Sequence, residues 1–348
     1  MKYKIPVFCG IVFMSVINVA CASRGSFDLD RWDKVISDIR TKAVAEKISQ
    51  PVIDATLKSP ALIPNIIKSD KNQSEFTLTL EQYLNRTVSD TRVNTGRRKR
   101  AEYPTLLTRV EKKYGVPRNV ILAFWGMESN YGAVKSKHRL TDAFFTLIYD
   151  GRREEFFSKQ LIALMKIADK NKLAINNIYG SWAGAMGHFQ FIPTTLAQYG
   201  MDGNNDNRVD IINSIGDAMM SAGNYLNKLG WDKNDTIIYR VILPYDFDKS
   251  MMNGNTKKTF TEWAQMGVMQ IDGTPVPDND TVVGLIADEK SITNQPEPSN
   301  DLETDDTDVA PAPVIKAYLT YPNFYRIKKW NNSSWYAIAI GELADKLK

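Results

Sequence analysis

The sequence predicts a mainly helical (α) domain that ends in a small β-containing part. Apolar residues recur three and four apart through much of positions 27 to about 235, the spacing of a helix face. After Asp235 the runs turn β-branched, as strands do. The bulk composition fits a folded globular chain: 348 residues, 43% hydrophobic and 24% charged. That length can bury a sizeable core in one large or two smaller domains.

Helices are predicted over 31–48, 80–87, 103–114, 117–129, 154–170 and 212–229. In the last, Ile212, Ile215, Met219, Ala222, Leu226 and Leu229 form one stripe. Gly230 follows it, where glycine commonly ends a helix. Pro117 is read as a first helical residue. Strands are predicted over 236–243, 282–287 and 324–327. A closing helix over 334–347 carries Tyr336, Ile340, Leu343 and Leu347 on one face. Residues 294–313 are dominated by Pro, Asp, Glu, Asn and Thr, which cannot bury a core, so a flexible exposed insertion is expected there.

The first 22 residues read as a secretory signal peptide. Met1-Lys2-Tyr3-Lys4 is a short positive region, residues 5–20 are apolar yet short for a bilayer span, and Ala20-Cys21-Ala22 offers a small-x-small cleavage site. Two mature forms fit: a soluble one, and one carrying a lipid on Cys21, although Asn18 stands where lipoprotein signals usually have Leu. Cys9 is lost either way, so no disulfide and no cysteine metal site is expected. The formal net charge is only +4. The one basic run, Arg97-Arg98-Lys99-Arg100, is read as a solvated loop, since no nucleic-acid motif accompanies it.

Two segments point to chemistry. The first is Ile121-Leu122-Ala123-Phe124-Trp125-Gly126-Met127-Glu128-Ser129-Asn130-Tyr131-Gly132. Ile121, Phe124 and Glu128 share a helix face. A carboxyl at the end of an apolar stripe is costly to ionise, which raises its pKa and suits it to general-acid cleavage of a glycosidic bond. Taken alone, the segment fits better a helix-end Glu that reaches solvent. The second is Gly180-Ser181-Trp182-Ala183-Gly184-Ala185-Met186-Gly187-His188-Phe189-Gln190-Phe191-Ile192-Pro193. It reads as a loop of small residues, either a binding wall or a tight packing turn.

These segments, in this order, resemble the lytic murein transglycosylase B family (the membrane-bound B type with an SLT-like domain). The resemblance extends over 27–348 and includes residues 73–76, Tyr114-Gly115-Val116-Pro117, the 202–217 stretch and Trp330-Asn331-Asn332-Ser333-Ser334-Trp335-Tyr336-Ala337. It implies a lysozyme-like α+β fold and cleavage of peptidoglycan glycan strands by one acid, Glu128, to 1,6-anhydro ends. Glycoside hydrolysis usually needs two carboxylates, and no partner to Glu128 stands in the second segment. The resemblance further implies Ser181, Gln190, Phe191, Tyr225, Asn331 and Tyr336 as substrate-binding residues. Phe191 and Tyr225 would present ring faces to sugars, and core packing is the alternative for both. Trp330 stands where the family often has Tyr, and a hydroxyl hydrogen bond is expected to be lost there. The implied setting is the periplasm, as a monomer, soluble or held to the outer membrane through Cys21. A hydrolysing muramidase and a non-catalytic wall-binding protein are the competing readings.

No cofactor is required by this chemistry. The run from Asp202 to Asp210 has side-chain oxygens at positions one, three, five and nine of a calcium-type loop, but Asn207 and Asn213 replace its glycine and its closing Glu. If calcium binds, Asp202, Asn204, Asp206 and the Arg208 carbonyl are the expected ligands, with Asp217 closing the site. A metal-free Asx-rich turn is the other reading.

Overall fold

The computed structural model describes residues 27–71, 78–134, 136–293 and 313–348. The expected signal peptide with Cys21, residues 73–76 and nearly all of the expected insertion lie outside the described residues.

The chain enters through α1 (Leu29–Ala45), α2 (Gln50–Leu57), α3 (Pro64–Lys71) and α4 (Leu80–Thr87). Asp28 caps α1 by accepting the Arg31 N–H, and the helix buries Trp32, Val35, Ile39 and Ala43. Thr79 and Gln82 close a capping box at the start of α4. α5 (Asp90–Glu102) and α6 (Pro104–Tyr114) lead into α7 (Arg118–Ser129). Pro117 lies just before α7 with ψ 146°, so it caps the helix rather than forming its first turn.

α7 is buried on all sides from Val120 to Gly126, which makes it a central helix rather than an amphipathic one. A short ribbon of β1 (His138–Arg139) and β2 (Tyr179–Gly180) brackets α8 (Leu140–Asp150) and α9 (Glu154–Asn171). α10 (Pro193–Tyr199) and α11 (Ile215–Lys228) complete the helical body. The β part follows as β3 (Ile238–Pro244), β4 (Asn253–Thr259), α12 (Phe260–Gln265), β5 (Met269–Gln270), β6 (Val282–Thr293) and β7 (Val314–Thr320). α13 (Pro322–Trp330) and α14 (Ser334–Lys346) return the chain to the helical body, where α14 packs on α7.

The sheet is antiparallel, in the order β4-β6-β7-β3-β5. Val241, Leu243, Val283, Leu285 and Leu319 form a second, smaller core with Phe260 and Trp263 of α12. Ile238 packs instead on α14 at Gly341, where a Cβ would lie 2.7 Å from Ile238 Cδ1. Arg240 on β3 grips Glu342 on α14 with two hydrogen bonds of 2.7 Å.

Two expectations are corrected. The run Arg97–Arg100 is helix, not loop, and belongs to α5. Arg97 donates to the Lys346 carbonyl and Arg100 to the Leu347 carbonyl, so cations sit on the carbonyl end of α14. Residues 324–327 are helical, not a strand: Pro322 opens α13, and the buried pair Phe324 and Ile327 is spaced for a helix. The strand of that region is β7, just upstream. Helices α2, α3, α5, α8, α10 and α12 lie outside the helices that periodicity marks. α5 buries only Val93 and Gly96, and α8 is buried from Leu140 to Ile148, so neither shows a one-sided stripe.

Tyr131 is clamped between Gly96 of α5 and Gly126 of α7. A Cβ on Gly96 would meet the Tyr131 hydroxyl and lie 2.7 Å from Leu347 Cδ2. Gly96→Ala is expected to lower stability by about 1–3 kcal/mol through overpacking, despite the better helix propensity of alanine. A lower urea midpoint at unchanged slope is the readout.

Candidate active site

Glu128 lies in the last turn of α7 and is half-buried. Two side chains from the C-terminal helices meet it. The Tyr336 hydroxyl donates to Oε1 at 2.5 Å, and the Trp330 indole N–H donates to the same oxygen at 3.0 Å. Burial pushes the Glu128 carboxyl up to about 7, while the hydrogen bonds from Tyr336 and Trp330 pull it down. Tyr336 is held well above its ordinary pKa by burial and by Glu128, so it remains a donor throughout the neutral range. With Oε1 accepting twice, the carboxyl proton falls to Oε2.

α7 stops abruptly after this residue. Asn130, Tyr131 and Gly132 take φ of +50°, +59° and +82°, and the Tyr131 N–H closes back on the Trp125 carbonyl at 3.2 Å. Ser129 is buried and does two things: its hydroxyl accepts the Gly132 N–H at 2.9 Å and donates to the His188 carbonyl at 2.7 Å. Trp125 Nε1 donates to His188 Nδ1 at 3.0 Å, so the imidazole carries its proton on Nε2. Burial, with Lys99 nearby, holds the His188 pKa below its ordinary value. These bonds bring the 180–193 loop against the acid-bearing helix. Neither Ser129, Trp125 nor His188 was singled out from sequence, since hydrogen bonds between distant segments leave no local pattern.

The loop itself is tightly packed. Gly184 and Gly187 have φ of +93° and +73°, and a Cβ on Gly187 would lie 2.6 Å from the Ile211 carbonyl oxygen. Its small residues therefore let protein approach protein. Ser181 Oγ accepts the Ala185 N–H at 3.0 Å, and Gln190 Nε2 donates to the Gly187 carbonyl at 2.9 Å. Both brace the loop.

Trp330 organises the aromatic residues. Its ring centroid lies 4.8 Å from Phe124, 5.3 Å from Phe191 and 4.8 Å from Tyr225, which in turn stacks on Tyr199 at 4.6 Å. Phe191 was expected to present a ring face, but it is only 2% exposed. It backs Trp330 and Tyr225, which are the partly open rings. Trp330 offers no hydroxyl, but it keeps the ring packing and its indole N–H donates a hydrogen bond of its own. Asn331 is exposed, and its Oδ1 accepts the Ser333 N–H at 3.1 Å, bridging α13 and α14. Of the expected residues, Tyr336 meets Glu128 directly, Phe191 and Tyr225 connect through Trp330, and Ser181, Gln190 and Asn331 make no hydrogen bond to the acid. Asp142, the nearest candidate for a second acid in sequence, is occupied by Arg139 and the Ala61 N–H.

The 202–213 loop closes on itself. Asp202 accepts the N–H groups of Asn205 and Asn207 at 2.7 and 2.8 Å, and Asp206 accepts the Arg208 N–H at 2.9 Å. Asn207 takes φ of +65°, so it serves where a glycine was missed. Asp217, expected to close a metal site, is fully buried, with Oδ1 and Oδ2 on the Gly203 and Asp210 N–H groups at 2.9 and 2.7 Å. It ties the loop to α11. Asn213 is bonded to Asp210. The donor set thus fits a self-closed Asx loop and lacks the free closing carboxylate of a calcium cage. Among the described residues no group of three or more His, Cys, Asp or Glu is gathered for a metal.

A family model described as Transglycosylase SLT domain matches residues 31–345. The membrane-bound lytic murein transglycosylase B of Escherichia coli (strain K12) is 28% identical over 244 residues, covering 70% of this chain and 60% of that protein. The chain therefore spans less than two thirds of that relative's length. SltB3 from Pseudomonas aeruginosa, solved in complex with NAG-anhNAM-pentapeptide, aligns with a TM-score of 0.79 at 33% identity, over 91% of this chain and 79% of that one. A lytic transglycosylase from Escherichia coli, solved in complex with calcium, aligns at 0.71 and 24% identity, over 91% of this chain and 92% of that one, and shares the fold. The mainly α, lysozyme-like architecture expected from sequence is the one these structures have.

The raised Glu128 pKa has a stability consequence. Its ionised form is disfavoured in the fold, so the cost is absent below the ordinary pKa of 4.5, grows as pH rises and is complete above about 7. Glu128→Gln keeps an oxygen for Tyr336 and Trp330 and removes that cost. The variant is expected to be more stable than the parent at pH 8, by at most about 3 kcal/mol, and equal to it at pH 4. Thermal melts at the two pH values decide.

Proposed function

The chain belongs to the transglycosylase SLT domain family, and from that we propose that it cleaves the bond from N-acetylmuramic acid to N-acetylglucosamine in peptidoglycan without consuming water. The observation that carries this reading is the single carboxyl Glu128, buried enough to hold a proton near neutrality and supplied with two donors on one oxygen.

The cycle needs only this carboxyl and the substrate. Protonated Glu128 delivers its Oε2 proton to the glycosidic oxygen, and the C1–O bond breaks. The substrate's 2-acetamido oxygen stabilises the positive charge at C1. Glu128 is now ionised, and Tyr336 and Trp330 stabilise the charge on Oε1. Oε2 then takes the proton of the C6 hydroxyl, whose oxygen closes on C1 to give the 1,6-anhydro end. The half-open rings of Tyr225 and Trp330 suit the apolar faces of sugars, and Ser181, Gln190 and Asn331 are the further substrate contacts that the family resemblance implies. SltB3 was solved both with an anhydro-ended ligand and with a NAG-NAM-pentapeptide, which fits a site that holds such glycan ends. The substrate implies action in the periplasm, soluble or held to the outer membrane through Cys21.

Glu128→Gln is expected to abolish cleavage while the protein stays folded. Mass spectrometry of digested wall should find wild-type products lighter by one water than those of a hydrolase. Reducing ends would point to a muramidase, and turnover by folded Glu128→Gln would remove the mechanism. Because the first step uses the protonated carboxyl, kcat should be level below about pH 7 and fall about tenfold per unit well above it.

Calcium is expected to bind weakly or not at all. Even a millimolar Kd, the weak end for such loops, gives only about 0.4 kcal/mol at 1 mM calcium. For a domain of this size that is roughly a degree in Tm. A shift of several degrees after chelator treatment would show that the loop rearranges to hold the ion.

A further inference from the structure

Glu128 receives two donors of different kinds. Tyr336 sits in the first turn of α14, and its hydroxyl can in principle accept as well as donate. Trp330 cannot: the indole N–H has no lone pair to offer. A proton placed on the oxygen that Trp330 and Tyr336 share would leave their donors its weaker lone pair, so the N–H of Trp330 favours the proton on the other oxygen.

The indole is also packed against neighbouring rings. Phe124 of α7, Phe191 of the loop and Tyr225 of α11 hold its ring on three sides. Its helix is anchored by buried Phe324 and Ile327, and the turn after it is pinned by Asn331 and Ser333. We propose that Trp330 is a positioning residue, whose N–H occupies one oxygen of Glu128 so that Oε2 alone exchanges protons with the substrate. This rests on the reading of Glu128 as the acid. A residue that must give a proton and then take one back gains from using the same oxygen twice, because no rotation separates the two steps.

Three variants separate the N–H from the ring. Trp330→Phe keeps a ring and loses the donor: kcat should fall about tenfold, KM should stay within about twofold, and the midpoint of the alkaline fall in rate should move to higher pH. Trp330→Tyr restores a donor and should recover most of the rate. Trp330→Ala removes the wall and should raise KM as well. The wild-type protein offers a test that needs no active variant. The indole N–H resonance of Trp330, identified by its absence in Trp330→Tyr, should titrate with Glu128 and cease to do so in Glu128→Gln. Wild-type kcat and pH profile in folded Trp330→Phe, or an indole resonance indifferent to Glu128, would overturn the proposal. If Glu128→Gln itself retained activity, the functional reading would fail instead, with the indole titration still reporting the contact.

Discussion

The carboxyl of Glu128 is held in surroundings that penalise its charge, yet it is given two hydrogen bonds that welcome that charge. Burial at the end of an apolar helix raises its pKa, and donation from Tyr336 and Trp330 limits the rise, so the balance falls near neutrality. Burial alone would leave an acid too weak to give its proton readily. The donors alone would leave a carboxylate with no proton to give. Much of the remaining architecture can be understood as what keeps these opposed influences at a fixed distance from one another.

The acid and its donors come from opposite parts of the chain. α7 lies at the centre of the helical body, and α13 and α14 return only after the sheet has been built. The sheet therefore has a mechanical role. Arg240 on β3 pairs with Glu342, and Ile238 lies against Gly341, so α14 is located by the sheet on one side and by α7 on the other. At the far end of α14, Arg97 and Arg100 of α5 hold its last carbonyls. A basic run that suggested a solvated loop is thus part of what positions Tyr336.

The sequence was most readable where a pattern is local. The stripe from Ile215 to Leu226 and the closing helix appear close to where periodicity puts them. Glu128 stood out because one ionisable group interrupted an apolar face. Patterns failed where burial is not one-sided: α8 is covered on all sides, and α5 buries little, so neither repeats visibly. The stretch 324–327 failed differently, since its aromatic and β-branched residues mimic a strand, and only Pro322 and the spacing of Phe324 and Ile327 mark the helix. At the site, resemblance supplied Tyr336, but the indole hydrogen bond of Trp330 and the grip of Ser129 on His188 depend on contacts across the fold. Asp217 looked like a metal ligand by position, and its burial beneath two backbone N–H groups was invisible in one dimension.

The long separation between Glu128 and its partners has a consequence for the order of synthesis. A ribosome delivers α7 well before α13 and α14. Until those last helices exist and dock, Glu128 has neither the cover that raises its pKa nor the donors that stabilise its anion. In such a chain it is an ordinary solvated carboxyl, already ionised in a neutral compartment. A nascent, truncated or partly unfolded molecule would therefore hold no proton at this position to donate. The raised pKa of Glu128 is a property of the docked fold, and it arrives only once α13 and α14 have been made.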